Sequence, residues 1–186
     1  MRKFGWMLGA AGAAALVGAV ALQGVAASAA PARHDHHHHG HGSASVLRFD
    51  TMTPVTGPFV GTANPIRGVA GGGLPWVLKS GAGELRRNGR LEVRVRGLVL
   101  ANVSSVPASL RGTNPFPDFR ALVSCQSIGT GNTATVVNVS TGDFKANPKG
   151  DSTIRTRISL PKPCIAPIVF VTGPTGTDVW FAVTGS

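Results

Sequence analysis

The segment that decides the fold reads Arg90-Leu91-Glu92-Val93-Arg94-Val95-Arg96. Its odd positions are apolar and its even positions are charged, which is typical of an antiparallel strand with one face on a core and the other in water. Asn88-Gly89 stands directly before it, and this dipeptide favours the type I′ turn of a two-residue hairpin. The sequence therefore predicts a β-hairpin that turns at these two residues.

The same period of two recurs in residues 154–160, where even positions carry Ile154, Ile158 and Leu160. Further strand candidates, separated by turns rich in glycine and proline, are residues 46–49, 74–79, 83–87, 120–126, 133–139, 143–145, 165–172 and 179–184. The stretches 54–73 and 103–118 contain three prolines each and are predicted to be long loops. No segment after residue 45 has a helical pattern. The sequence therefore predicts an all-β fold, an antiparallel β-sandwich of immunoglobulin-like or similar Greek-key architecture.

The first thirty of the 186 residues have the layout of a secretory signal peptide. Arg2 and Lys3 precede an uncharged apolar segment, residues 4–22, and Ala27-Ser28-Ala29 offers the small side chains that a signal peptidase requires. An uncleaved transmembrane helix is the alternative, but glycines within the apolar segment weaken it. We expect removal of residues 1–30, an extracellular mature protein, and no integral membrane association after cleavage. The formal net charge of +10 then falls to +8, because the lost segment holds two basic residues and no acidic ones.

Residues 31–45 contain every histidine of the chain, in the run His34-Asp35-His36-His37-His38-His39-Gly40-His41. Imidazole is the commonest protein ligand for zinc, copper and nickel, and a flexible run can offer several nitrogens to one ion. We expect a disordered linker with weak metal affinity; a linker in which metal binding is incidental is the alternative. A catalytic metal site is not expected, because such a segment holds no fixed partners behind its ligands.

The remaining residues, 46–186, are expected to form one β domain with one disulfide. Cys125 and Cys164 lie at the end and the start of apolar strands, and in an exported chain they should be oxidised. A buried pair of thiols is the alternative. A nucleophilic cysteine would need a neighbouring histidine, and residues 46–186 contain none.

The domain also lacks the residues of common hydrolases. Without histidine it cannot hold a Ser-His-Asp or Cys-His site. Its carboxylates are Asp50, Glu84, Glu92, Asp118, Asp143, Asp151 and Asp178. Glu92 stands on the polar face of a strand, and Asp143, Asp151 and Asp178 stand at turns, which favours turn capping over the paired arrangement of a glycosidase. Trp76 and Trp180 stand within apolar strands and are predicted to pack in the core rather than form a carbohydrate platform. We expect no catalysis and no cofactor.

Alternation also predicts a basic face. It places five arginines on the polar sides of two strands, namely Arg90, Arg94, Arg96, Arg155 and Arg157. If both strands lie in one sheet, these guanidinium groups share a surface with only Glu92 to offset them. Guanidinium groups bind phosphate and carboxylate bidentately, so the surface is a candidate anion-binding face. The alternative is that the arginines keep the sheet soluble and prevent edge-to-edge pairing.

Several stretches of residues 74–186 resemble a group of short exported bacterial proteins. They are Leu74-Pro75-Trp76-Val77, Gly83-Glu84-Leu85, residues 89–100, Val123-Ser124-Cys125, Gly142-Asp143-Phe144 and Leu160-Pro161-Lys162-Pro163-Cys164. The resemblance implies export and a β domain, and it implies no catalytic or binding residue. The histidine run is not part of the shared pattern.

The sequence thus favours a secreted, non-catalytic β module that binds a partner or associates with the cell envelope. The expected partner is an anionic envelope polymer or another extracellular protein. Extracellular binding of a divalent metal through the histidine run is the alternative function.

Overall fold

The computed structural model describes residues 43–184, and within them it contains strands, two short 3-10 helices and no α-helix. The strands are β1 Ser45–Phe49, β2 Thr53–Pro54, β3 Ala70–Gly71, β4 Trp76–Val77, β5 Ser80–Arg86, β6 Arg90–Arg96, β7 Val99–Leu100, β8 Asp118–Ile128, β9 Ala134–Ser140, β10 Phe144–Lys145, β11 Ser152–Arg157, β12 Ile165–Thr172 and β13 Val179–Val183. The 3-10 helices are Gly57–Phe59 and Thr130–Asn132. The signal peptide and the histidine run of the sequence analysis lie outside the described residues.

The first sheet has four strands in the order β1-β5-β6-β11, all antiparallel. Its centre is the predicted hairpin, but β5 turns into β6 through the three residues 87–89. The two-residue type I′ turn predicted at Asn88-Gly89 is wrong, since Gly89 has a positive φ and Asn88 does not. Gly89 has a φ of 81°, a value that glycine adopts without strain, and the Asn88 side chain accepts a hydrogen bond from the Arg90 N–H at 3.1 Å. Leu85 faces Leu91 across the hairpin, so the apolar residues of both strands lie on one side.

The second sheet has the order β10-β8-β12-β13-β2, with β9 also on β8 and β3 on β13. β8 is its longest strand, with eleven residues, and it pairs with β9, β10 and β12. The short pairing of β3 with β13 is parallel, and the other pairings of this sheet are antiparallel. A separate pair, β4 with β7, joins residues on either side of the first sheet's hairpin.

The two sheets pack face to face over one core. The first sheet contributes Leu85, Leu91, Val93, Val95 and Ile154, and the second contributes Phe119, Val123, Val169, Val171 and Phe181, all within one cluster of buried side chains. Trp76 stacks on Phe181 with ring centroids 4.2 Å apart. Trp76 and Trp180 are 2% and 1% exposed, which confirms their predicted place in the core. The prediction of an all-β antiparallel sandwich is confirmed.

The disulfide is also confirmed: Cys125 of β8 bonds to Cys164, the residue before β12. Cys125 is fully buried among the core side chains. The bridge ties the centre of the second sheet to the loop that follows β11, across 39 residues of sequence.

The predicted loop 54–73 covers part of the outer side of the second sheet. Phe59 of this segment contacts Trp180, with ring centroids 6.3 Å apart, and Arg67 donates a hydrogen bond to the Ser124 carbonyl at 3.0 Å. The segment also holds β3 and the first 3-10 helix.

Two strand predictions were too long. The predicted strand 74–79 is reduced to the two residues of β4. The predicted strand 154–160 begins earlier and ends at Arg157, so Ile158 and Leu160 leave the sheet. Pro161 and Pro163 follow them, and proline lacks the N–H group that would continue a strand ladder.

Candidate anion-binding face

The outer side of the first sheet brings the five predicted arginines together. β6 and β11 are neighbours, with Arg90 opposite Arg157 and Glu92 opposite Arg155. Val93, Val95 and Ile154 are buried on the inner side, so alternation leaves the arginines outside.

The face is larger than the sequence indicated, and the prediction that Glu92 alone offsets the arginines is wrong. β5 adds Glu84 directly opposite Glu92 and places Arg86 on the same side, and β1 adds Arg48 opposite Glu84. The alternation around Leu85 was a signal for these residues, but a two-residue turn at Asn88-Gly89 would have set Glu84 against Val93. The three-residue connection 87–89 sets Glu84 against Glu92. We call the seven arginines of this surface the arginine face; they are Arg48, Arg86, Arg90, Arg94, Arg96, Arg155 and Arg157. Glu84 and Glu92 lie among them.

Glu84 is held between two arginines. Arg48 and Arg86 each bring a guanidinium nitrogen to 3.2 Å from one of its carboxylate oxygens. Desolvation raises the pKa of Glu84, but the hydrogen bonds and positive charges of these two arginines together outweigh it and hold the pKa below its ordinary value. Glu84 therefore stays ionised at neutral pH and offsets one of the two positive charges beside it.

Glu92 pairs with two other arginines. Arg155 lies 3.0 Å from it and Arg94 forms the second ion pair. Within residues 43–184, Arg90, Arg96 and Arg157 form no ion pair with a carboxylate. All three are exposed. Arg96 donates one hydrogen bond to the Val95 carbonyl at 3.2 Å, and its remaining N–H groups, like the guanidinium groups of Arg90 and Arg157, are open to a ligand.

A shallow groove of about 340 Å³ runs over the centre of this surface. Its charged lining comes from Arg86, Arg90, Arg155 and Arg157 with the two glutamates. Neighbouring strands lie about 4.8 Å apart and alternate residues of one strand about 7 Å apart. The sheet therefore fixes the spacing of the backbone positions that carry the arginines, which suits a ligand with several regularly spaced anionic groups.

Asp151 and Asp143, two of the carboxylates predicted to cap turns, accept hydrogen bonds from other segments of the chain. Asp151 accepts hydrogen bonds from the Gly97 N–H at 3.0 Å and the Asn147 side chain at 3.2 Å, which lower its pKa despite partial desolvation. Asp143 accepts the Thr175 N–H at 3.0 Å. No group of three or more potential metal ligands occurs in the part of the chain that the structure describes. Nor does that part contain a helix long and apolar enough to cross a membrane.

Comparisons with protein-family models, with curated proteins and with solved structures found no match to this chain.

Proposed function

We propose that the chain is an exported, non-catalytic binding module that holds an anionic polymer of the cell envelope on its arginine face. The observation that carries this proposal is the set of three unpaired guanidinium groups, Arg90, Arg96 and Arg157, on a surface with seven arginines and two glutamates. Guanidinium groups match the geometry of phosphate oxygens and keep their charge at any physiological pH.

Two features support export and binding over catalysis. The Cys125–Cys164 disulfide suits an oxidising compartment outside the cytoplasm. Six carboxylates of the domain are engaged in ion pairs or hydrogen bonds; they are Glu84, Glu92, Asp118, Asp143, Asp151 and Asp178. Such carboxylates are poorly placed to act as a general acid and base.

The energetics favour a ligand with many charges. An exposed ion pair contributes about 0–1 kcal/mol, so a single phosphate gains little from one exposed arginine. A polymer gains by releasing condensed counterions at each contact, and its affinity falls steeply as salt rises. The arginine face is therefore expected to bind a polymer well and a monomeric anion weakly.

The test compares charge reversal on and off the face. Arg94→Glu with Arg157→Glu changes two residues of the arginine face. Lys145→Glu with Lys149→Glu makes the same change of charge at β10 and a nearby turn, off the first sheet. Binding of each protein to glycerol-phosphate teichoic acid is measured at low and at physiological salt.

We expect the first variant to lose about tenfold or more in affinity at low salt and the second to lose much less. Equal retention by both variants would leave the arginines with a solubility role only. Binding to duplex DNA is measured in parallel, and a clear preference for DNA would point to nucleic acid in place of an envelope polymer.

A further inference from the structure

A second concave site lies at the end of the sandwich, next to the arginine face. It is a cleft of about 990 Å³ lined by residues of the β5–β6 turn, the start of β1 and the loop after β11. We call it the end cleft. Its volume is at the upper end of the range for small-molecule sites.

The apolar lining of the end cleft comes from Val46, Ile158, Leu160, Pro161 and Pro163. Val46, Ile158 and Leu160 also contact the hydrophobic core, so the apolar lining of the cleft is continuous with the core. Cys164 closes one side and is tied to β8 by the disulfide. The lining is therefore held by the fold.

The charged residues of the lining are all basic. Arg87, Arg157 and Lys162 belong to it, all three are exposed, and no aspartate or glutamate does. Asn88 and Ser159 add uncharged polar groups to the lining. A cleft with several apolar side chains and only positive charges is complementary to a molecule with a long apolar chain and one anionic head.

Part of the cleft backbone cannot pair with a peptide ligand. A bound extended peptide needs free N–H groups to pair with its carbonyls, and Pro161 and Pro163 have none. The N–H groups of the turn are used within the protein: Arg87 donates to the Ala44 carbonyl at 2.8 Å, and Gly89 donates to the Arg86 carbonyl at 2.8 Å. The Ile158 N–H likewise donates to the Gly89 carbonyl at 3.0 Å.

We infer that the end cleft binds a long-chain fatty acid, with the aliphatic chain on the Val46, Leu160 and Pro161 side and the carboxylate at Arg87 and Lys162. An aliphatic chain needs no hydrogen bonds from the backbone, and it can pack against the apolar lining of the cleft. Arg87 and Lys162 are available to bind the carboxylate, because neither forms an ion pair within residues 43–184. Arg157 lines both surfaces, but Arg87 and Lys162 are not part of the arginine face, so this inference does not rest on polymer binding there.

The experiment titrates the protein with oleate below its aggregation concentration and follows heat or displacement of a fluorescent fatty acid. Methyl oleate tests the need for the anionic head, and hexanoate tests the need for the long chain. Arg87→Glu with Lys162→Glu reverses the charge of these two lining residues without changing a core side chain. Lys145→Glu with Lys149→Glu is the control of equal charge, and Leu160→Ser removes apolar lining, with melting temperature as the check of folding.

We expect saturable one-to-one binding of oleate, and binding of methyl oleate and hexanoate weaker by about tenfold or more. The variant with Arg87→Glu and Lys162→Glu should lose about tenfold or more in affinity for oleate, and the control variant should lose little. Absence of saturable oleate binding would overturn the inference, as would equal affinity of the variant with Arg87→Glu and Lys162→Glu and wild type. Binding of an acidic extended peptide without binding of oleate would overturn it as well.

Discussion

Arg120 shows how one side chain joins loops that the sequence places far apart. It lies on β8, and its side chain is only 10% exposed. It donates to the Gly173 carbonyl at 3.3 Å and to Asp178 at 3.1 Å, and lies 3.8 Å from Asp143. This arginine thus has an internal structural role, in contrast to those of the arginine face.

We predict that Arg120→Met lowers the free energy of unfolding by about 1–3 kcal/mol, because the Gly173 carbonyl loses a charged donor. Asp178→Asn should cost less than about 1 kcal/mol, because the Asp178 side chain is 86% exposed and water screens its pairing. Denaturant unfolding of both variants measures the contrast. Equal losses would show that the exposed ion pair, and not the buried donor, holds these loops.

Glu84 carries a prediction about pH. Its pKa is lower in the folded protein than its ordinary value of 4.5, so the ionised form stabilises the fold above that pH. This contribution is lost as the pH falls through the lowered pKa of the folded state. The difference in melting temperature between wild type and Glu84→Gln should therefore be present at pH 6 and shrink below pH 4.5. A difference that does not change with pH would show that the ion pairs with Arg48 and Arg86 are not its source.

Among the elements, the strands with long, regular alternation were predictable, and three of the five two-residue strands were not. The bounds of β6 and β12 agree with the sequence pattern, because each spans enough residues to show its period or its apolar run. β2, β3 and β7 have two residues each, and no period can be read from so few. The pairing of β6 with β11 joins strands over 50 residues apart, so the extent of the arginine face depended on a register that only the fold supplies.

Gly89 carries the prediction for the β5–β6 turn. A Cβ added there would lie 1.9 Å from the Ile158 carbonyl oxygen, in addition to the strain of a φ of 81°. Gly112 has a similar φ of 68° with no heavy atom within 4 Å of such a Cβ. We expect Gly112→Ala to cost about 1–2 kcal/mol and Gly89→Ala about 2–5 kcal/mol. Thermal unfolding decides: similar losses would show that the close contact adds nothing to the backbone strain.

For the molecule as a whole, the disulfide is predicted to be a main source of stability. Cys164→Ala removes the bridge while leaving the fully buried Cys125 side chain in place. We expect a loss of about 2–5 kcal/mol, because the bridge restricts the unfolded chain. Wild type in reductant should show the same loss. No loss in either case, or two alkylatable thiols in the secreted protein, would contradict this role.

The histidine run carries the prediction for the alternative function. β1 begins at Ser45, and Ser43 and Ala44 accept hydrogen bonds from the turn at residues 87 and 88, so a deletion should stop at residue 42. We expect removal of residues 31–42 to leave the melting temperature of the metal-free protein unchanged and to abolish weak zinc or copper binding in a calorimetric titration. A large loss of stability would show that these residues support the domain, and retained metal binding would place the ligands elsewhere.

The central claim is that the unpaired arginines bind the polymer, and the slope of log affinity against log salt tests it most directly. One variant replaces Arg90, Arg96 and Arg157 by glutamine, and the matched variant replaces the ion-paired Arg48, Arg86 and Arg155, so both lose three charges. In nucleic acids each phosphate contact contributes about 0.7–0.9 to the slope, and we take the same value for the phosphates of teichoic acid. For teichoic acid, we predict that the first variant loses about 2 or more from the magnitude of the slope and the second loses little. Equal changes in both variants would contradict the claim, since net charge alone would then account for binding.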